Sequence, residues 1–129
     1  MKFNDTNVKQ IYESHPEVDM SNLAYIYAYQ DRASGVFGWI KMKYYFISWD
    51  THKLHLIETT LSGKEKIFRS LDLSDIESVE VKNRVINKLV NLKIKGEDIL
   101  RLNCGNKVMG LKNQKEHLET ILNVLNQSA

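Results

Sequence analysis

The chain has 129 residues, of which 43% are hydrophobic and 26% are charged, a composition typical of one globular domain with a single core. Its formal net charge of +2 is too small to imply nucleic acid as a partner. No apolar run approaches the roughly 18 to 20 residues that span a bilayer, and residues 1–5 lack a signal-peptide pattern. We therefore expect a cytoplasmic protein with no transmembrane segment and no nucleic-acid binding.

The first predicted element is a short helix near the N-terminus. Asn4 or Asp5 can cap it, and Pro16 ends it. Residues 1–21 are predicted to form a helical extension, and residues 22–129 the main domain. Because short helices are marginal alone, the extension either packs on an apolar sheet face or serves a partner. Its apolar stripe consists of Val8, Ile11 and Tyr12.

Strands follow, and the first two are rich in aromatic residues. Residues 23–30 alternate tyrosines with alanine and isoleucine. Residues 36–49 are apolar on both faces, which is typical of a strand covered on both sides. Either the N-terminal helix covers the second face, or the aromatic side chains form a homodimer or protein-partner surface. The candidate residues for that surface are Tyr27, Trp39, Tyr45 and Trp49.

Residues 71–81 read Leu-Asp-Leu-Ser-Asp-Ile-Glu-Ser-Val-Glu-Val and divide the strands into two sets. Ser74-Asp75 favours a turn, Ile76 anchors the segment in the core, and alternation restarts at Ser78. This segment resembles the one that precedes the second sheet in bacterial pleckstrin-homology-like (GRAM-like) domains. Residues 35–49 resemble the long second strand of that family, and residues 113–125 resemble its C-terminal helix.

The resemblance covers about residues 22–126 and consists mainly of hydrophobic patterns. It implies an α+β fold, a seven-stranded partly open β-barrel of two packed antiparallel sheets capped by a C-terminal helix. It also implies a non-enzymatic interaction module, since related folds bind extended peptides beside that helix. The corresponding groove here would lie between residues 78–81 and the helix face that carries His117, Glu119 and Val124.

The closing helix has the clearest pattern of all the predicted elements. Asn113 with Glu116 three residues later is typical of a helix start. The helix carries one apolar stripe, which needs a hydrophobic opening to fill. We therefore expect it to plug one end of the curled sheet. The stripe consists of Leu118, Ile121, Leu122 and Leu125.

Charge is asymmetric in residues 82–95, which contain five cations and no acidic residue. The run is either a solvated strand face or a surface for an anionic partner, such as lipid headgroups or an acidic strip of protein. Peripheral membrane binding through this face is the alternative to a protein or peptide partner. The five residues are Lys82, Arg84, Lys88, Lys93 and Lys95.

The polar residues suggest no catalytic chemistry. The four histidines form no cluster with cysteines or carboxylates, so no metal site is expected. Cys104 is the only cysteine, so no internal disulfide can form. Its alternation with leucines favours a buried apolar role. No glycine-rich loop precedes a helix in the sequence, so a nucleotide-binding fold is not indicated. We expect neither an enzyme nor a cofactor.

Overall fold

The computed structural model describes residues 4–30 and 43–128, and these fold as an α+β domain. The predicted strand over residues 36–49 is therefore described only in its second half, and Trp39 lies outside the described residues. The helices are α1 (Asp5–Glu13) and α2 (Gln114–Ser128), and the strands are β1 (Ala24–Gln30), β2 (Tyr44–Trp49), β3 (Leu54–Thr59), β4 (Glu65–Leu71), β5 (Ile76–Asn83), β6 (Asn87–Ile94) and β7 (Leu100–Gly105).

The strands form one antiparallel sheet in the order β4-β3-β2-β1-β7-β6-β5. Strand β1 joins the two halves, because it pairs with β2 along most of its length and with β7 through Tyr29 and Gln30. The two outermost strands, β4 and β5, are consecutive in the chain and are joined by one turn of 3-10 helix, Leu73–Asp75. Since so short a turn connects opposite ends of the strand order, the sheet has to curl. This arrangement is consistent with a partly open barrel.

The inner face of the curled sheet is filled by α2. Leu118, Ile121, Leu122 and Leu125 are buried in one cluster with inward side chains of β1, β6 and β7. The space left among them is about 10 Å³, no more than one water molecule needs. The predicted apolar stripe is confirmed, and burying its four side chains contributes roughly 6 to 12 kcal/mol of transfer free energy before entropy is subtracted.

The outer face of β1 to β4 is covered by the N-terminal segment. Val8 and Tyr12 of α1 are buried in a second cluster with Tyr25, Phe46 and Ile57. Of the two roles considered for the N-terminal helix, packing on the sheet is the one confirmed. Strand β2 is apolar on both faces because Ile47 lies in the inner cluster that includes α2, and Phe46 lies in the outer cluster that includes α1.

Polar contacts hold the N-terminal segment to the rest of the fold. The side chain of Asn4 caps α1 by accepting a bond from the Asn7 backbone N–H, at 2.9 Å. Asp5 instead accepts bonds from the Tyr25 hydroxyl and from the backbone N–H of Lys112. One carboxylate therefore ties α1 to β1 and to the segment that leads into α2.

The connection between β5 and β6 is shorter than predicted. The alternating pattern ends at Val81, and the sequence predicts a loop over residues 82–84. Residues 82 and 83 instead continue β5, where Lys82 pairs with Leu89 and Asn83 with Lys88. The Arg84 backbone N–H donates to the Asn87 carbonyl at 2.9 Å and closes the turn. Pairing with β6 extends the strand because it supplies backbone partners that a free loop would lack. Within residues 4–30 and 43–128, neither helix has the length and apolar character needed to cross a bilayer.

Candidate interaction surface

The three described aromatic residues of the predicted partner surface, Tyr27, Tyr45 and Trp49, do not share one face. Tyr45 is only 8% exposed and packs in the inner cluster, and Trp49 lies partly buried against the same cluster. Tyr27 faces the opposite side of the sheet, with its ring 5.8 Å from that of Phe46. Burial raises the pKa of the Tyr27 phenol to about 12. A partner could contact Tyr45 only after displacing the packing around it.

The five predicted cations fall into two groups at opposite ends of the β5–β6 hairpin. Lys82, Arg84 and Lys88 lie near the turn, whereas Lys93 and Lys95 lie near the other end. Five residues of strand, or about 17 Å, separate Lys88 from Lys93. The ammonium of Lys93 lies 3.1 Å from the carbonyl oxygen of Ile94 and 3.6 Å from a carboxylate oxygen of Glu77. Lys93 is therefore already satisfied by its own neighbourhood.

One part of the predicted peptide groove is not formed. The ring of His117 contacts β1, where its Nδ1 lies 2.9 Å from the carbonyl oxygen of Tyr25. The two rings are also in contact, with centroids 5.0 Å apart. His117 therefore faces β1 and cannot line a groove beside β5.

The three large apolar side chains that are most exposed in the described part of the chain come together where the β5–β6 turn meets the segment between β7 and α2. Val85 is 96% exposed, Ile86 76% and Met109 94%, and no other large apolar side chain in the described part of the chain is as exposed as these three. The Asn106 backbone N–H donates to the Ile86 carbonyl at 3.1 Å, which fixes the two segments side by side. We call these three side chains with the cations around them, Arg84, Lys107, Lys112 and Lys115, the loop-end surface.

A cavity of about 1090 Å³ lies within the loop-end surface and is lined by both segments. Three asparagines contribute polar groups to its lining, and the Asn87 side-chain amide donates to the Asn103 side-chain oxygen at 2.9 Å. The side-chain oxygens of Asn87 and Asn106 are buried and have no hydrogen-bond partner. These two oxygens could accept hydrogen bonds from a ligand or from water.

Gln114 fixes the position of the segment that carries Met109. Its side chain is buried, accepts a bond from the Tyr27 backbone N–H, and donates to the carbonyl oxygens of Tyr27 and Gly105 at 2.9 and 3.1 Å. The first residue of α2 is thereby joined to both β1 and β7. Because the residues on either side are anchored, the segment between them is held at a defined place.

The charge of the loop-end surface is positive. Lys107, Lys112 and Lys115 line the cavity, and Arg84 is adjacent to Val85 in the turn. Among the described residues none of these four cations forms an ion pair. Glu116 also lines the cavity. The four unpaired cations leave this end of the molecule available to an anionic partner.

A second polar cluster, which the sequence did not reveal, lies beneath the N-terminal segment. Asp50, His55 and Ser70 form a chain of bonds: His55 Nε2 lies 2.7 Å from Asp50 Oδ2, and His55 Nδ1 lies 2.7 Å from Ser70 Oγ. Asp50 also accepts bonds from the backbone N–H groups of Asp19, His52 and Lys53. Burial raises the pKa of Asp50, but these hydrogen bonds outweigh it and hold the pKa well below its ordinary value.

The order of groups in this cluster resembles that of a nucleophilic triad, yet its surroundings favour a structural role. His55 is fully buried and Asp50 is 1% exposed. Ser70 does not line the cavities of about 10, 350 and 1090 Å³ that the described residues form. An acyl-transfer site needs room for a substrate beside the nucleophile. We interpret the cluster as a lock that joins the β2–β3 hairpin, β4 and the N-terminal segment.

Other reactive groups are also placed without an evident ligand. Cys104 is buried, as predicted, and burial raises the pKa of its thiol to about 12. No group of three or more histidine, cysteine or acidic side chains within residues 4–30 and 43–128 is arranged to hold a metal ion. A smaller cavity of about 350 Å³ opens beside the Arg69–Glu97 ion pair, where a guanidinium nitrogen and a carboxylate oxygen are 3.0 Å apart.

Sequence reasoning missed the apolar residues of the loop-end surface. The signal that could have found them is the pair Val85-Ile86 directly after Arg84, between the loop predicted at residues 82–84 and the next predicted strand. Two consecutive large apolar residues next to a cation, outside any alternating pattern, do not both face the core. Val108-Met109 beside Lys107 is a second example, because Val108 packs against the cluster on the outer face of the sheet and Met109 is left exposed.

Comparison with models of protein families, with curated proteins and with solved structures finds no match to this chain.

Proposed function

We propose that the chain is a pleckstrin-homology-like interaction module that acts by binding rather than by catalysis. In this assignment β1 to β4 form one sheet, β5 to β7 form the second, and α2 caps the space between them. The strand order supports the assignment, because β1 borders both sets and one short turn leads from β4 to β5. The burial of α2 against both sets is a second support.

A binding role is supported by the state of the groups that could otherwise do chemistry. The imidazole of His55 is enclosed and bonded on both nitrogens, and the Cys104 thiol is buried. A catalytic base or nucleophile has to reach a substrate. These side chains instead stabilise the fold.

The observation that carries the proposal is the position of the three most exposed large apolar side chains among residues 4–30 and 43–128. Val85, Ile86 and Met109 come from two segments far apart in sequence and lie on one surface. Scattered exposed apolar residues are ordinary, but a cluster of them marks a contact site. The loop-end surface is therefore the functional surface of the module.

The charge of this surface defines the chemistry of its partner. Four unpaired cations surround the apolar side chains, so a second copy of the chain meeting it face to face would be repelled. An anionic partner with an apolar component satisfies both features. Acidic protein segments and anionic bilayers share that chemistry.

The proposal can be tested by mapping where an anionic apolar probe binds to the ¹⁵N-labelled protein. The probe is a synthetic peptide of alternating leucine and glutamate residues, and amide chemical shifts are followed during titration. We expect shifts in residues 84–88 and 105–112, and none in the β2–β3 hairpin. Shifts confined to other residues, or no shifts with either the peptide or anionic bicelles, would refute the loop-end surface as the binding site.

A further inference from the structure

We propose that the anionic partner of the loop-end surface is a phospholipid bilayer, into which Val85, Ile86 and Met109 insert while the surrounding cations contact the headgroups. This inference rests on the proposed function, because it names the partner of the same surface. It concerns a bilayer surface of negative charge and requires no particular headgroup.

The shape of the surface favours a bilayer over a protein. Val85 and Met109 border the cavity but are almost fully exposed, so most of their surface faces outward from the molecule. An apolar anchor at a protein interface has to fit a matching pocket in its partner. A fluid bilayer adapts to any projecting shape, so the side chains need only reach past the headgroups.

The arrangement of charges fits the same partner. Arg84 flanks Val85 in the turn, while Lys107, Lys112 and Lys115 lie on the other side of the cavity. Juxtamembrane cations are attracted to the negative potential of anionic leaflets, and the attraction is additive. Two carboxylates lie nearby, Glu116 and Asp5, and Asp5 already accepts bonds from the Tyr25 hydroxyl and the Lys112 backbone. Cations thus outnumber carboxylates two to one around the apolar side chains.

The two inserting segments are fixed relative to one another before they meet a bilayer. The Asn106–Ile86 backbone bond joins them, and Gln114 anchors the second segment to β1 and β7. Binding therefore orders little additional chain. The loss of conformational entropy on binding is smaller than it would be for two flexible segments, so it offsets less of the free energy gained by burying the apolar side chains.

The test is co-sedimentation of the full chain with vesicles of phosphatidylcholine alone or with about a third phosphatidylserine, at about 0.05 M and about 0.5 M salt. We expect binding to the anionic vesicles that weakens strongly at the higher salt concentration. Met109→Ser should lower the partition coefficient at least about tenfold, the order expected from losing one inserted apolar side chain. Each of Arg84→Gln and Lys107→Gln should lower it about fivefold.

Leu61→Ser is the matched control. Leu61 is also a bare apolar side chain, but it lies in the β3–β4 turn, outside the loop-end surface. This variant should bind vesicles as the unaltered chain does. Because Leu61 and Met109 are both exposed, neither substitution should shift the midpoint of urea denaturation, which can be measured for both variants.

A second measurement reports insertion directly. An environment-sensitive fluorophore attached to Met109→Cys should shift its emission to shorter wavelength with anionic vesicles, and one attached to Leu61→Cys should not. Cys104 is buried and should not compete for the label.

The outcomes separate the two levels of the proposal. Amide shifts at the loop-end surface with the acidic peptide, but no vesicle binding, would overturn the bilayer and leave the interaction module standing. Vesicle binding that Met109→Ser does not weaken, or a fluorophore that stays in water, would also overturn insertion. If neither probe binds the surface, both proposals fall.

Discussion

Replacing Asp50 by asparagine removes one charged acceptor from the centre of the buried lock. Asp50 Oδ1 accepts from the backbone N–H groups of His52 and Lys53 at 2.9 and 2.8 Å, and Oδ2 accepts from Asp19 N–H at 3.0 Å and bonds His55. The two hairpin bonds also support Thr51, which adopts a positive φ of 75°. An asparagine keeps the shape of the side chain but has one oxygen fewer.

The magnitude follows from the orientation that the new amide would take. If its nitrogen replaces Oδ1, the two hairpin N–H groups lose their acceptor. If it replaces Oδ2, His55 can change tautomer and accept from it, so only the Asp19 N–H loses its acceptor. A buried donor without a partner costs about 1 to 3 kcal/mol, and the remaining bonds lose their charge assistance, so Asp50→Asn should lower the free energy of unfolding by about 2 to 4 kcal/mol at neutral pH.

The effect should depend on pH, with a sign set by the direction of the pKa shift. The pKa of Asp50 in the folded state lies below the unfolded value of about 3.9. A carboxylate of this kind stabilises the fold fully above the unfolded pKa and loses that contribution as pH falls toward the folded pKa. The difference in stability between the unaltered chain and Asp50→Asn should therefore be constant from about pH 5 to 7 and shrink below about pH 4.

Urea denaturation followed by circular dichroism at several pH values measures this difference, provided that the m-value stays unchanged. Asp98→Asn is the control, because Asp98 is exposed in the β6–β7 turn and its substitution should change stability by less than about 0.5 kcal/mol. A loss below about 1 kcal/mol for Asp50→Asn at pH 7, or a loss that does not diminish in acid, would contradict the role assigned to the lock.

Two further predictions concern the core. Leu118→Ala should lower the free energy of unfolding by about 2 to 5 kcal/mol, because Leu118 is buried between α2 and the inner face of the sheet. The control is Glu119→Ala, which changes an exposed neighbour and should have little effect. Equal effects of the two substitutions in thermal denaturation would show that α2 does not fill the sheet. The Cys104 thiol should not react with Ellman's reagent at neutral pH until urea unfolds the chain, since it is buried and its pKa is raised to about 12; rapid labelling of the native protein would disprove its burial.

Periodicity in the sequence was sufficient to predict most of the fold. Alternation in β1 separated Tyr25 from Ile26, and the structure places them in the outer and inner clusters. The apolar stripe of α2 indicated a helix that packs into the curled sheet, because apolar residues at that helical spacing are stabilising only when the face that carries them is buried. Ser74-Asp75 marked the turn between β4 and β5, since their side chains bond local backbone groups. The length of β5 was underestimated, because pairing with β6 decided it.

The candidate site depended on tertiary structure. Lys82 and Lys95 lie in one run of sequence, but the hairpin separates them by its length, so the predicted basic face divides into two groups. Met109 and Val85 are distant in sequence, and the backbone bond between Asn106 and Ile86 brings their segments together. Local patterns determine which residues alternate and which turn. Which side chains are left exposed beside one another is decided only when the strands have paired, because that depends on contacts between residues far apart in the chain.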